Sequence, residues 1–270
     1  MKALKRKFGI NANCLAERSQ LDALEPIKQA GFSSVFLETY ENDEVATIKR
    51  KADALGLAVS FIHAPFYGIN AMWLPGDDYL ELYHKMQQTI DSAANNGIPA
   101  VVLHISSGWQ PPALNDLGLS RFDALVAYGK NRGVILALEN LRLTGNMAYF
   151  VDRYEKESHV QFCYDCGHEH CYTKTVRWMD IFTTRVFCTH IHDNPGRSFE
   201  DKVSDFDWHL LPFDGTCDYS RMMRDLDAYG YRGDLTLEVF QKKPAYEKWT
   251  VETFLRECYQ RIERISQINE

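Results

Sequence analysis

The stretch VQFCYDCGHEH (160–170) begins as a short apolar run and ends in a crowd of side chains that bind metals or carry protons. Cys163 and Cys166 form a CxxC, Asp165 and Glu169 are carboxylates, and His168 and His170 are imidazoles. It reads as a zinc knuckle, as a redox pair, or as a buried strand whose end carries metal ligands. Seven other runs have the same form: FGINA (8–12), SVFLE (34–38), AVSFIHA (58–64), AVVLHIS (100–106), VILALEN (134–140), RVFCTHIH (185–192) and DLTLEVF (234–240). Runs of this length, rich in β-branched residues and phenylalanine, suit parallel strands buried on both faces. On such a strand, with no second CxxC and no helix start expected beside it, the cysteine pair lacks the setting of a zinc knuckle or a redox motif. Alternation puts Cys163 on the face of Asp165, filling the interior beneath it. A tight turn at Gly167 is expected to bring Asp165 and His168 onto one ion.

Between the runs lie amphipathic stretches with helical spacing: LDALEPIKQAG (21–31), DEVATIKRKADALG (43–56), YLELYHKMQQTIDSAANNG (79–97), RFDALVAYGKNRG (121–133) and YSRMMRDLDAYG (219–230). Each ends in a glycine, which relieves the left-handed residue that terminates many helices. Eight strands alternating with helices predict a single (β/α)8 TIM barrel spanning residues 1–270, with no linker or low-complexity tract. The longest irregular piece, NPGRSFEDKVSDFDWHLLPFDG (194–215), is long enough to be functional.

Composition narrows the field. A net charge of −7 leaves no basic footprint for nucleic acid. The basic opening MKALKRKFGI leads into no apolar h-region, and no run approaches the length of a membrane span. Seven cysteines, odd in number and unevenly spaced, suit a reducing cytoplasm better than a disulfide framework. There is no GxSxG elbow, no GxxxxGK[ST] phosphate loop and no GxGxxG; no lysine ends a strand.

The ends of the strands carry the chemistry. In order they are Glu38, His63, His104, Glu139, Asp165, His190 with His192, and Glu238. The mouth of such a barrel lies at the carboxyl ends of its strands, so these side chains converge there. A lone histidine after an apolar run is ordinarily a hydrogen-bonded core residue. Seven strand ends together are not explained that way, because clustered buried carboxylates need a cation. Imidazole with carboxylate favours zinc, manganese, cobalt or iron. Asp207 and His209, in DWH of the long loop, join the set.

At this point the chain resembles the xylose isomerase-like TIM-barrel superfamily, which includes sugar epimerases and the endonuclease IV branch. The resemblance runs over nearly the whole chain. It rests on His63 in HAPF, His104 in VVLHIS, Glu139 in LALEN, Asp165 and His168 in DCGH, His190 in HIHDN, Asp207 and His209 in DWH, and Glu238 in LTLEV. For the sugar isomerases it implies one divalent ion on Glu139, Asp165, His190 or His192, and Glu238. For the endonuclease IV branch it implies three zinc ions on all nine. The chain departs from that branch after Glu139, reading ENLRLTGN where a Thr-Ala-Gly type of segment is expected. Matching HIHD to the family's H-x-x-D places His190 ahead as the ligand and leaves His192 for substrate or a second ion.

The expected activity is a metal-dependent isomerase or epimerase of a ketose or sugar phosphate, working through a metal-stabilised enediolate, with endonuclease IV-like cleavage of abasic DNA as the alternative. Glu139 and Glu238 are the expected acid and base. His168, His192, Arg197, Trp109 and Phe66 are expected to contact substrate. One to three ions of manganese, zinc or cobalt, a small sugar as partner, no nucleic acid, no membrane, and an open question of homo-oligomer complete the expectation.

Overall fold

The strand ends were expected to meet, and the reason they do is visible in the pleat. In the computed structural model, which describes residues 6–173, 175–198, 204 and 206–268, eight parallel strands run in the order of the sequence. They are β1 Phe8–Asn11, β2 Ser34–Leu37, β3 Ala58–His63, β4 Ala100–Leu103, β5 Ile135–Glu139, β6 Val160–Asp165, β7 Val186–His190 and β8 Leu235–Leu237. Each of the eight apolar runs became a strand. β8 pairs with β1, Phe8 opposite Leu235 and Ile10 opposite Leu237, and a bridge between Ile191 and Leu237 closes β7 onto β8. The chain is a single (β/α)8 barrel.

One set of side chains fills the interior: Phe36, Phe61, Ala100, Val102, Ala137, Cys163 and Cys188. Every strand side chain two residues further along lies on the same face. That step carries Phe36 to Glu38, Phe61 to His63, Val102 to His104, Ala137 to Glu139, Cys163 to Asp165 and Cys188 to His190. The apolar plug therefore forms the floor of a polar mouth, and Cys163 is barrel filling as expected. The alternate face packs outward into the main core against the helices.

The helices are α1 Gln20–Gln29, α2 Asn42–Leu55, α3 Leu80–Asn95, α4 Asp116–Arg132, α5 Thr144–Arg153, α6 Cys166–Tyr172, α7 Trp178–Phe182, α8 Tyr219–Ala228 and α9 Val251–Ser266. The five expected stretches are helical, with α4 starting five residues earlier than its apolar pattern because Asn115 caps it by accepting from Gly118 N. Among the described residues no helix is long and apolar enough to cross a membrane. Residues 1–5 of the basic opening and 199–203 and 205 of the long loop lie outside the described residues.

Candidate metal centre

One expectation fails at once. No helix was expected beside Cys166, yet α6 begins there, directly off the end of β6. Asp165 is its N-cap, and Oδ1 accepts the backbone N–H of His168 at 2.6 Å. The capping oxygen is what turns the strand into a helix without an intervening turn. Gly167 accordingly makes no tight turn. It leaves room for the ring of His192, whose Cε1 would stand 2.0 Å from a β-carbon at that position. Cys166 turns away, its Sγ 3.6 Å from His192 O. Glu169 pairs with Arg221 and accepts from Trp178 N, and His170 meets Thr216. So the stretch is a strand end with metal-competent side chains, in the setting of neither a knuckle nor a redox pair.

The remaining side chains converge. Glu139 sits at the centre, almost fully buried. Its Oε2 is 2.9 Å from His104 Nε2 and 3.2 Å from His63 Nε2; its Oε1 is 3.1 Å from His190 Nδ1 and 3.3 Å from His168 Nδ1. His190 Nδ1 is also 3.4 Å from Glu238 Oε2 and 3.9 Å from Asp165 Oδ2. Donor atoms of Glu139, Asp165, His190 and Glu238 all lie within 4.8 Å of one another, and so do those of His63, Glu139 and His190. A second cluster, His168, His192, Asp207 and His209, meets the same limit. Both His168 Nε2, at 3.2 Å, and His209 Nε2, at 3.3 Å, face Asp207 Oδ2. Asp165 and His168 therefore serve different clusters rather than one ion, because His168 Nδ1 is 3.0 Å from Asn140 O and its Nε2 faces Asp207. Glu38 joins no cluster among the described residues.

Backbone carbonyls decide which ring nitrogen each histidine presents. His63 Nδ1 donates to Ala64 O, His168 Nδ1 to Asn140 O and His209 Nδ1 to Glu238 O. A carbonyl only accepts, so Nδ1 carries the proton and Nε2 is left facing a carboxylate. Two acceptors face each other there unless the imidazole is a cation or a cation lies between them. This is the outer-shell arrangement that orients metal-ligating histidines. The donors are all nitrogen and oxygen, which fits manganese, zinc, cobalt or iron.

The electrostatics point the same way. Burial alone would raise the Glu139 carboxyl, but His190 and His104 outweigh it and hold it well below the usual carboxylate range. Asp165 is likewise lowered against burial, by His168 and His192, and Asp207 by His209 and His168. Burial works to lower the histidines, yet Glu238 and Glu139 push His190 up to about 10, and Asp165 pushes His192 up to about 9. His104 alone yields to burial and falls. The site is built to hold positive charge.

Above the clusters lies a cavity of about 250 Å³, lined by His63, His104, Glu139, His168, Asp207, His209 and Glu238 together with Phe66, Leu141, Arg142 and Tyr172. Phe66 stacks on His104, ring centroids 4.1 Å apart. Trp109 and Arg197 pack beside this cavity rather than lining it: the Arg197 guanidinium lies 4.1 Å from the Trp109 ring centroid and donates to Tyr172 O. Arg142 escaped the sequence reading although it is two residues past the buried Asn140. Asn140 escaped it too, yet its side chain ties the ends of β5 and β6 together, accepting from Asp165 N and donating to Asp165 O, each at 2.8 Å.

Known proteins share this fold. A solved xylose isomerase domain protein from Planctomyces limnophilus superposes with a TM-score of 0.79 over 98% of both chains at 16% identity. A D-allulose 3-epimerase from Methylomonas sp., solved with D-allulose, superposes with a TM-score of 0.73 over 97% of this chain and 98% of that one at 13% identity. The uncharacterized protein y4fM of Sinorhizobium fredii is 30% identical over 167 residues, 57% of this chain. The match spans about half, 51%, of that relative's length. The sequence profile described as Xylose isomerase-like TIM barrel matches residues 17–258. This barrel, matched by that profile over most of its length, belongs to the xylose isomerase-like TIM-barrel family.

Proposed function

We infer that the protein is a metal-dependent epimerase or isomerase of a ketose or sugar phosphate. One observation carries this reading. Glu139, from the end of β5, and Glu238, from the end of β8, bring carboxylate oxygens to one point from different sides of the barrel, with His190 between them. Moving a proton off and onto a carbon requires a base and an acid that reach that carbon, and two carboxylates on different sides of it supply both. Glu139, Asp165, His190 and Glu238 would hold a divalent cation, which when bound polarises a carbonyl and offsets the charge left by deprotonation.

The protein's own groups do the rest. His63 and His104 fix Glu139 Oε2 and leave its Oε1 toward the cluster. Arg142, its guanidinium stacked 3.9 Å from the Tyr172 ring centroid, anchors substrate oxygens remote from the reacting carbon. His168 orients a hydroxyl, while Trp109 and Arg197 back Tyr172 from behind. Phe66 covers the cavity and keeps water from the carbanion. That a structural neighbour is a D-allulose 3-epimerase supports the choice of a ketose.

The test is exchange. Incubated in deuterated water with a ketose panel and manganese or cobalt, the protein should place deuterium on a carbon next to the carbonyl. No exchange with any free or phosphorylated ketose would remove this reading. The second cluster favours a second reading, the zinc phosphodiesterase, because His168, His192, Asp207 and His209 stand ready for a further ion.

A further inference from the structure

Beside the cavity over the candidate metal centre lies another, of about 450 Å³, across the ends of β2, β3 and β8. The two adjoin, sharing His63, Phe66, His209 and Glu238 as walls. Their chemistry differs. The second is walled by Tyr40, Pro65, Phe66, Tyr67 and Phe240, with Glu38 as the carboxylate that it does not share with the first. Tyr67 is 96% exposed and Phe66 41%, although Val59, Phe61 and Ile62 of the strand before them are buried. Phe66 rests on His104, ring centroids 4.1 Å apart, whereas Tyr67 stands almost wholly in solvent at the rim.

Glu38 sharpens the question. It ends β2 in register with the candidate ligands, yet among the described residues no metal-competent cluster takes it. One oxygen accepts from Asn13 Nδ2 at 3.1 Å. The other, Oε1, is buried with no hydrogen-bond partner among the described residues. An unmet carboxylate oxygen costs free energy that a hydroxyl donor would recover. Aromatic faces that accept the C–H side of a ring, beside an acceptor for its hydroxyls, suit a pyranose. A plain alkyl tail would leave Glu38 unmet, and a phosphate would be repelled by it.

We propose that this second cavity is a subsite for a further sugar ring, joined by a glycosidic bond to the ketose that reacts over the metal centre, with Tyr67 and Phe66 stacking on the ring and Glu38 accepting its hydroxyls. The substrate class is then a ketose-bearing disaccharide or glycoside rather than a free monosaccharide. This rests on the ketose reading above, and the experiment separates the two.

Protein purified without chelator is titrated calorimetrically with D-fructose and with lactulose and palatinose, disaccharides that carry fructose at one end. Saturation-transfer NMR reports which ring touches the protein, and deuterium exchange is followed on the same sugars. The expected result is at least about tenfold tighter binding of one disaccharide than of fructose, with saturation of its second ring. Tyr67→Ala and Glu38→Gln should each cut that disaccharide-to-fructose ratio by about tenfold, the worth of one lost contact of this kind. Equal affinities, no saturation of the second ring and no change of ratio in either variant overturn the subsite even if fructose exchanges deuterium. Binding of the second ring that depends on Tyr67, without exchange on any sugar, upholds the subsite and removes the epimerase reading.

Discussion

His192 lies against Gly167 so closely that a β-carbon there would stand 2.4 Å from its Nδ1. The ring is held from the other side by His209, centroids 3.9 Å apart and nearly parallel. The first turn of α6 and the second metal-competent cluster are thus packed as one unit. Gly167→Ala must push the ring aside or shift the helix, an overpacking worth about 1–3 kcal/mol. We expect affinity for a second equivalent of zinc to fall at least tenfold, with a Tm lowered by a few degrees. Chelator competition and thermal unfolding check both. Unchanged zinc affinity would show that His192 is not needed by that cluster.

The two glutamates make a sharper prediction. Glu139→Gln and Glu238→Gln should each reduce deuterium exchange on a confirmed substrate by about 10²–10⁴-fold, since a carboxamide cannot accept the proton. Circular dichroism and metal content decide whether a loss is chemical or structural. Near-normal rates in both variants would take the pair out of the chemistry.

Asp193 follows the ligands in HIHDN, and its role is different. Its carboxylate accepts from the backbone N–H of Asn194, Phe213 and Cys217, and its own backbone pairs with Leu210 beside His209. Removing it leaves buried donors unmet, each worth about 1–3 kcal/mol. Asp193→Ala should therefore unfold at lower denaturant by about 2–4 kcal/mol, because solvent reaches some of the freed donors. It should also weaken the cluster that contains His209 more than the one around Glu139. Equal loss at both clusters would mean that the effect is global.

Much of this was legible in the sequence because two periodicities coincide. A strand repeats every two residues, so the side chain two places past an interior one must enter the mouth, and the run of Ala137 to Glu139 or Cys188 to His190 could be read without coordinates. The helices α5, α6, α7 and α9 were not read. α6 and α7 are too short to show a period, and the ligand-rich α6 looked like a turn. α9 was readable, since Phe254, Cys258, Ile262 and Ile265 lie on one stripe, with Thr250 as its cap. Pairing in space was beyond reach. Nothing local reveals that Asn140 clasps β6, that Arg142 faces the cavity, or that Glu38, in register with the candidate ligands, stands outside the clusters formed among the described residues.

Metal should stabilise the fold itself. Glu139, Asp165 and Glu238 are buried carboxylates that a cation neutralises better than protons shared among histidines. At a free ion concentration 100 times Kd, binding to the folded state alone adds about 2.7 kcal/mol. For a chain of this size that is roughly 5–10 °C in Tm. Stripping with a chelator should lower Tm by that amount, and manganese, cobalt or zinc should restore it, whereas magnesium, which prefers oxygen ligands, should restore less. No change on stripping would deny a resident ion.

Abasic duplex DNA separates the epimerase from the phosphodiesterase. A nuclease must hold the duplex as well as cut it, and contacts from Lys and Arg to phosphates supply much of that affinity. The mouth segments 66–78 and 106–118 contain neither residue. What they present instead is apolar and acidic, with Asp77 and Asp78 exposed. Trp73 is buried and donates to Ile105 O, Asn70 and Ser107 pair side chain to backbone, and Arg121 is spent on the carbonyls of Ala71, Met72, Leu74 and Gly76. Large apolar side chains exposed on these segments include Phe66, Tyr67, Leu74 and Leu117, and Trp208 is exposed on the long loop. We therefore expect no cleavage of an abasic oligonucleotide above a metal-stripped control, and no binding that weakens with salt. Zinc-dependent strand cleavage, lost in His63→Ala and His209→Ala, would reverse the ranking: the two clusters would then be working together on a phosphodiester, and the aromatic rim would have to be read as a wedge for a displaced base.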